Sequence, residues 1–198
     1  MMDKERFQKQ IDFILEADKE KNILRQTHLS GHGRRENDAE HAWHMAIMIY
    51  LLKEYANEEI DVAKAMMMAL IHDIVEIDAG DTYAYDTAGL ETQKEREEKA
   101  AERIFGMLPE DQKVELRALF EEFEAYATPE AKFAHSMDNF QPLLLNNSNN
   151  GSDWREHGVC KSQTMKRHKK TRLGSEMIGE YSERLIEENV KKGNIKDE

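Results

Sequence analysis

Four side chains suited to binding a metal ion lie in three separate stretches of the sequence. His72 and Asp73 are adjacent and follow an apolar run, whereas His41 comes well before them and Asp138 well after them. Titratable groups at the end of a buried helix need partners, because an unpaired polar group in an apolar interior is costly. Facing helices of a bundle often supply metal ligands together. The pattern therefore predicts one cation site, built by three helices around these four residues.

The donor atoms of such a site indicate its chemistry. Two imidazoles and two carboxylates leave room on a divalent ion for a water molecule and a substrate oxygen. The mixed nitrogen and oxygen donors favour Mn, Fe, Co or Ni over Mg or Zn. An ion of this kind lowers the pKa of its water and polarises phosphoryl oxygens, and hydrolysis of a phosphate ester needs both effects.

The same residues carry a resemblance to a known superfamily. A distant His, a His-Asp doublet and a later Asp are the signature of the HD-domain metal-dependent phosphohydrolases, which this sequence resembles. It is similar in particular to the 5'-deoxynucleotidase branch, which adds a Glu four residues after the doublet's His and then a Gly-Asp pair. Glu76 and Gly80-Asp81 match these positions. The resemblance implies an all-α, HD-type helical bundle with the metal site in its core.

The resemblance also implies an activity and the residues that perform it. The expected reaction is hydrolysis of (deoxy)ribonucleoside 5'-monophosphates to nucleoside and phosphate, with water as the nucleophile. Glu76, one helical turn after His72, is expected to transfer protons, and Asp81 is expected to orient water or contact the sugar. Arg25 and Arg35 are expected to bind the phosphate, because a guanidinium matches two phosphate oxygens. A homodimer is implied as well.

Three further features bear on the metal and the substrate. Related HD enzymes with two metal ions carry extra histidines after the doublet, and none occurs here between Asp73 and His135, which predicts a single ion. Asn139 stands where the branch commonly has an Arg, so the surroundings of Asp138 are less positive. Gln26 replaces an aromatic residue that favours deoxy sugars in the bacterial 5'-deoxynucleotidase of this branch. The sequence leaves open a triphosphate, a cyclic nucleotide or an alarmone as substrate, and also a non-catalytic metal- and nucleotide-binding sensor.

Composition limits the classes of partner. The chain has 198 residues, 40 of them Asp or Glu against 28 Lys or Arg, and a net charge of −12. This acidity argues against extended nucleic acid as a partner, and the basic run 166–170 is interpreted as a solvated helix face. The single Cys160 fits a reducing cytoplasm, and neither a signal peptide nor a membrane-length apolar run is visible. We expect a cytoplasmic protein that binds a small nucleotide and no membrane.

Hydrophobic periodicity predicts the elements that hold the site. Residues 1–198 are interpreted as a single domain with a core over about 13–179, onto which a C-terminal helix packs. The two most apolar helices, 38–55 and 61–75, carry the histidines of the proposed metal site. Each is apolar around most of its circumference, so both are expected to be buried.

Loops are predicted from glycines and polar clusters. Residues 29–35 and 80–89 are expected to be irregular, the second covering the site, and residues 146–152 are expected to form a polar loop. Further helices are predicted at about 3–17, 91–106, 109–126, 128–145 and 175–190. The remaining histidines are interpreted as structural or exposed, and they are His28, His32, His44, His135, His157 and His168.

Overall fold

Helices make up most of the chain, which confirms the predicted all-α class. The computed structural model describes residues 3–198, apart from the side chains of residues 87 and 88. Within that range, short 3-10 turns and one pair of short strands interrupt the helices. The helices are α1 (Lys4–Ala17), α2 (Asp38–Leu52), α3 (Val62–Ile71), α4 (Glu76–Ala79), α5 (Thr87–Phe105), α6 (Glu110–Ala125), α7 (Pro129–Ser148), α8 (Ser152–Glu156), α9 (Lys161–His168) and α10 (Glu176–Lys191).

Two apolar cores hold the segment that contains the His-Asp doublet. Helices α2, α3 and α7 pack against one another and form the first core, with Met45, Met68 and Met137 among its fully buried side chains. The second core joins the segment after α3 to α5 and α6, and it includes Ile74 and Phe105. The chain passes from one core to the other at the end of α3. The doublet therefore lies where side chains pack from both sides.

Helix α2 begins with a capping box that determines which acidic side chain turns inward. Asn37 Oδ1 accepts the N–H of Glu40 at 2.9 Å, and Glu40 Oε2 accepts the N–H of Asn37 at 3.1 Å. These two bonds satisfy backbone donors at the helix start. Because Asn37 is the cap, Asp38 is free to point into the core, where it is fully buried. The same start places His41 one turn into the helix.

The expectation that α2 is buried on all sides is wrong. Trp43, Ile47, Tyr50 and Leu51 are between 41% and 63% exposed. Their spacing places them on one face of the helix, while the opposite face packs into the first core. The apolar composition of α2 thus reflects two surfaces, one in the core and one that nothing in residues 3–198 covers.

Helix α3 is shorter than predicted. It ends at Ile71, and residues 72–75 form a turn before α4 in place of the continuous helix expected there. The N–H of Glu76 donates to the carbonyl oxygen of Asp73 at 2.8 Å, which is the short hydrogen-bond spacing of a tightened turn. Helix α4 then ends at Gly80, whose φ of 74° directs the chain into the following loop. The doublet and Glu76 therefore lie on a tight turn between two helices.

A β-hairpin that the sequence analysis did not predict precedes α2. Strands β1 (Leu24–His28) and β2 (Arg35–Asn37) pair in antiparallel fashion. Gly31 and His32 take positive φ values in the turn between the strands. Arg25 consequently lies on a strand.

Helix α7 extends into the region predicted to be a polar loop. It ends at Ser148, so the first part of that region is helical. Asn149 follows and is fully buried. Its amide donates to the carbonyl oxygens of His28 and Leu29, and its Oδ1 accepts the N–H of His32 at 3.0 Å. An asparagine expected in solvent therefore attaches the hairpin turn to α7.

The loop over the site is shorter than predicted, because α5 begins at Thr87 and not near residue 91. The loop proper comprises residues 80–86. At the other end of the chain, α10 packs on α7 and α9. Within residues 3–198, no helix combines the length and the apolar character that crossing a membrane requires.

Candidate active site

The four predicted metal ligands meet in the interior between α2, α3 and α7. Ring nitrogens of His41 and His72 and a carboxylate oxygen of Asp73 all lie within 4.8 Å of one another. The two imidazole ring centres are 5.6 Å apart. Asp138 Oδ1 lies 3.2 Å from His41 Nε2. The structure therefore groups His41, His72 and Asp73 and places Asp138 against His41, so the four residues come from three segments of the chain.

Hydrogen bonds behind His41 fix which of its ring nitrogens faces the site. The Gln141 amide donates to Glu36 Oε1 at 2.6 Å and to His44 Nδ1 at 3.1 Å, so Gln141 Oε1 accepts from His41 Nδ1 at 3.0 Å. Burial lowers the pKa of His41 to about 4, so the ring is neutral and carries one proton. With that proton on Nδ1, the Nε2 atom presents a lone pair toward Asp138.

His72 is oriented in a similar way. Its Nδ1 donates to the carbonyl oxygen of Ala69 at 2.9 Å, and its ring packs on Phe123. Its Nε2 lies 3.1 Å from Asp73 Oδ1, within ion-pair distance. This nitrogen forms no hydrogen bond with any residue that the structure describes. Burial lowers the pKa of His72, but the charges of Asp73 and Asp138 outweigh burial and raise it to about 9. Without a cation, the carboxylates therefore attract a proton to this ring.

The donor set fits a divalent cation. Burial would raise the pKa of Asp73 and Asp138, yet the histidines and arginines near them hold both values below the ordinary range. Both carboxylates are therefore ionised, and each faces an imidazole Nε2 whose ring already donates through Nδ1. A metal ion bound by these nitrogens and carboxylates would take the place of the extra proton on His72. The core thus contains a His and Asp cluster able to hold a metal ion.

Arg25 ties the doublet to the start of α2. Its Nη1 donates to Asp38 Oδ1 at 3.1 Å and to Asp73 Oδ2 at 2.7 Å. Only 11% of the side chain is exposed. Charge-assisted hydrogen bonds of this kind are short and directional, so they fix the orientation of the carboxylates. Asp73 is held with Oδ2 on Arg25 and Oδ1 toward His72.

Glu76 belongs to a second group of acidic side chains beside the first. Ligand atoms of Asp38, Asp73 and Glu76 lie within 4.8 Å of one another. Burial, reinforced by the charge of Asp73, raises the pKa of Glu76 to about 12 and that of Asp38 to about 7. Glu76 is therefore a neutral carboxylic acid near pH 7, and its Oε2 has no hydrogen-bond partner within the described chain. Arg25 supplies positive charge beside this group through its hydrogen bonds to Asp38 and Asp73.

A cavity of about 240 Å³ opens onto the cluster. Asp73, Glu76 and Asp138 form part of its wall, so a small molecule that enters the cavity reaches the candidate metal ligands. The loop 80–86 and helices α7, α8 and α9 supply much of the remaining wall. Side chains from these elements include Asp81, Tyr83, Tyr85, Asn139, Trp154 and Arg167.

The other predicted functional residues are placed unequally. Arg25 lines the cavity, and so does Asp81, whose pKa is raised by burial. Arg35 is not among the described residues that line the cavity. It lies on β2 with its side chain 36% exposed, and its Nη2 is 3.9 Å from Glu156 Oε1. The structure therefore brings one of the two predicted arginines to the site.

Arg167 is a lining residue that the sequence analysis missed. The prediction of a solvated face for residues 166–170 is wrong for two of the five residues, because Arg167 lines the cavity and His168 is only 3% exposed. The three lysines of the run are exposed, as expected. Thr164 and Thr171 are also fully buried. The helical spacing of Thr164, His168 and Thr171 was the signal that one side of this stretch faces the core.

A helical bundle with this His, His-Asp and Asp cluster defines the HD class, and the chain belongs to the HD domain family, whose profile matches residues 17–178. It is similar to a crystal structure from Magnetospirillum magnetotacticum MS-1 that is described as a predicted metal-dependent phosphohydrolase. The two chains share 47% identity and a TM-score of 0.92 over 96% of this chain and 95% of that one. The family predicted from the ligand pattern is confirmed.

Curated relatives agree with the branch that the sequence predicted. The 5'-deoxynucleotidase HDDC2 of Homo sapiens is 33% identical over 111 residues, which are 56% of this chain and 53% of that protein. The 5'-deoxynucleotidase HDDC2 of Dictyostelium discoideum is 32% identical over 128 residues, or 61% and 67% of the two chains. The chain thus spans about half the length of the human relative. The predicted resemblance to the 5'-deoxynucleotidases is confirmed.

Proposed function

We propose that this protein is a metal-dependent phosphohydrolase that removes phosphate from (deoxy)ribonucleoside 5'-monophosphates. One observation carries the proposal. The Nε2 atoms of His41 and His72 each face a carboxylate, and the cluster they form opens into a cavity that also presents Glu76 and Asp81. The relatives named 5'-deoxynucleotidase support the choice of substrate.

His41, His72, Asp73 and Asp138 would hold one divalent ion. Their mixed donors favour Mn, Fe, Co or Ni over Mg or Zn. When bound, such an ion supplies positive charge to phosphoryl oxygens and a more acidic water molecule. Outer hydrogen bonds keep the ligands in place: Gln141 orients His41, and Arg25 orients Asp73.

Glu76 is assigned to proton transfer. Burial and the charge of Asp73 raise its pKa, which favours the protonated form that can give its proton to the 5' oxygen as the phosphorus–oxygen bond breaks. Asp81 is assigned to orienting the attacking water or contacting the sugar. Tyr83, Tyr85 and Trp154 line the same cavity and offer aromatic surface to a nucleobase.

Phosphate release tests the proposal directly. The purified protein is stripped of metal with a chelator, Mn or Co is added back, and dAMP, dGMP and dTMP are supplied as substrates. We expect no release from the stripped protein and recovery with metal, because the cluster needs its cation. The product profile separates the rival substrates, since a triphosphate would give pyrophosphate or phosphate and a cyclic nucleotide an opened ring. Nucleotide binding without turnover for every metal and substrate would overturn the proposal.

We also propose that the protein is a homodimer in the cytoplasm, and the exposed face of α2 supports the first part. Trp43, Ile47, Tyr50 and Leu51 form a patch on one helix, and contiguous apolar patches often mark an interface. A two-fold dimer would pair this patch with itself.

Leu51→Glu is expected to convert the dimer to a monomer, because it places a charge in the paired patch. Sedimentation velocity measures the change. Val114→Glu is the matched control, since Val114 is 60% exposed on α6, away from the patch, and this variant should stay dimeric. A wild-type protein that sediments as a monomer, or a dimer that survives Leu51→Glu, would contradict this interface.

A further inference from the structure

The cavity carries more acidic than basic groups. Two guanidinium groups, of Arg25 and Arg167, line it. A phosphate monoester brings further negative charge, about two units near pH 7. Its binding therefore depends on positive charge from the protein as well as from a metal ion. Five carboxyl groups line the same cavity, and they belong to Asp73, Glu76, Asp81, Asp138 and Asp153.

The positive charge of Arg25 is already balanced by carboxylates of the protein. Its Nη1 is shared between Asp38 and Asp73, and its side chain is largely buried. Two carboxylates thus already surround one guanidinium. Moving Arg25 toward a substrate would leave Asp73 without the partner that orients it, and a buried charge without its partner is costly.

Arg167 is in the opposite situation. It is half-buried on α9 and lines the cavity, yet it forms no hydrogen bond or ion pair with any residue that the structure describes. It shares the wall of the cavity with Asp138 and Asp81. The guanidinium therefore lies near the candidate metal ligand on α7 and near the loop that covers the cavity.

We propose that Arg167 binds the phosphate group of the substrate and that Arg25 serves to position Asp73 and Asp38. An unpaired guanidinium presents planar N–H donors that match two phosphate oxygens. Asn139, which follows Asp138 on α7 and also lines the cavity, carries no charge. The positively charged side chain on that side of the cavity is instead Arg167, from α9. The identity of the ligand as a phosphate ester rests on the proposed function.

Binding of inorganic phosphate, the expected product, tests this assignment without turnover. Calorimetry with the Mn-loaded protein should show that Arg167→Met weakens phosphate binding about 10- to 100-fold, as expected for lost charge-assisted hydrogen bonds. Arg167→Lys should weaken it less, because the charge remains. Lys166→Met removes the same charge from an exposed neighbour on α9 and should change the affinity less than about twofold. Deoxyadenosine should bind Arg167→Met as it binds the wild type.

The possible outcomes separate this inference from the proposed function. If the wild type hydrolyses monophosphates but Arg167→Met binds phosphate normally, the role of Arg167 is overturned and the enzyme remains. If Arg167→Met loses deoxyadenosine but not phosphate, the residue contacts the nucleoside and the inference is wrong. No phosphate binding by the Mn-loaded wild type at millimolar concentration would also overturn it. Loss of phosphate binding in Arg167→Met, together with no turnover by the wild type, would support Arg167 and reject the nucleotidase.

Discussion

Asp138→Asn is expected to remove metal binding while leaving the fold intact. Asp138 Oδ1 lies 3.2 Å from His41 Nε2, and an asparagine amide at that position could donate a hydrogen bond to this nitrogen. The metal-free variant should therefore still fold, because this hydrogen bond partly offsets the lost attraction between the Asp138 carboxylate and the histidines and arginine near it. Phosphate release should fall by more than about 100-fold, because a direct ligand is lost.

Thermal unfolding with and without Mn measures the two effects together. The ion binds only the folded wild type, and at about 100 times its Kd it adds about 2.7 kcal/mol to the free energy of unfolding. Asp138→Asn should show no such gain. Asp153→Asn is the control, because Asp153 lines the same cavity but accepts from the His28 backbone and ring at 3.0 Å and 2.8 Å. A full metal-dependent gain in Asp138→Asn would exclude Asp138 as a ligand.

The sequence was sufficient to predict the cluster, because its members are residue types that bind metal ions. Imidazoles and carboxylates next to apolar runs have few alternatives to being paired, so His41, His72, Asp73 and Asp138 could be grouped before their positions were known. Helix starts were predictable for the same reason. Thr128 and Ser175, at the starts of two predicted helices, cap α7 and α10, and such capping depends on residues within one turn.

The residues behind the cluster could not be predicted in the same way. Gln141 is an ordinary amide until the fold places it between Glu36 and His41. The available signal was its spacing of three residues from Asp138, which puts both side chains on one face of α7. Arg167 could not be predicted because it lies in a run of basic residues, and such runs are usually solvated. Only the helical spacing of the buried residues around it indicates that one side of the run faces the core.

The hairpin was missed for a different reason. Its strands are short, and their hydrogen bonds join residues across a turn, so the periodicity of either strand alone is too brief to read. The hairpin turn also bonds to Asn149, which is distant in sequence. Arg25 lies near the predicted site because of the hairpin, and the local sequence pattern does not predict that hairpin.

Glu76→Gln is expected to lower phosphate release from nucleoside monophosphates by about 100- to 10,000-fold, the range for loss of a general acid or base. The fold should be unaffected. Burial raises the pKa of Glu76 to about 12, so the native side chain is already neutral and glutamine has nearly the same shape and polarity. Equal melting temperatures of the two metal-loaded proteins would check this point.

Glu20→Gln is the matched control for this substitution. Glu20 is buried to a similar degree, at 7% exposure against 6% for Glu76, and burial raises its pKa to about 8. It is not among the described residues that line the cavity. Replacing it should therefore leave phosphate release close to the wild-type rate. A comparable loss in both variants would mean that removing any buried acid near Asp73 disturbs the site.

A change of leaving group determines the direction in which Glu76 moves its proton. The 5' oxygen of a nucleoside is strongly basic as it departs and needs a proton, whereas p-nitrophenolate departs without one. If Glu76 donates the proton, as its raised pKa suggests, the deficit of Glu76→Gln should shrink markedly with p-nitrophenyl phosphate. If it instead removes a proton from the attacking water, both substrates should suffer the same deficit, because the nucleophile is shared. An equal deficit would therefore reject the acid role and keep Glu76 as a base, while no deficit with either substrate would remove Glu76 from proton transfer altogether.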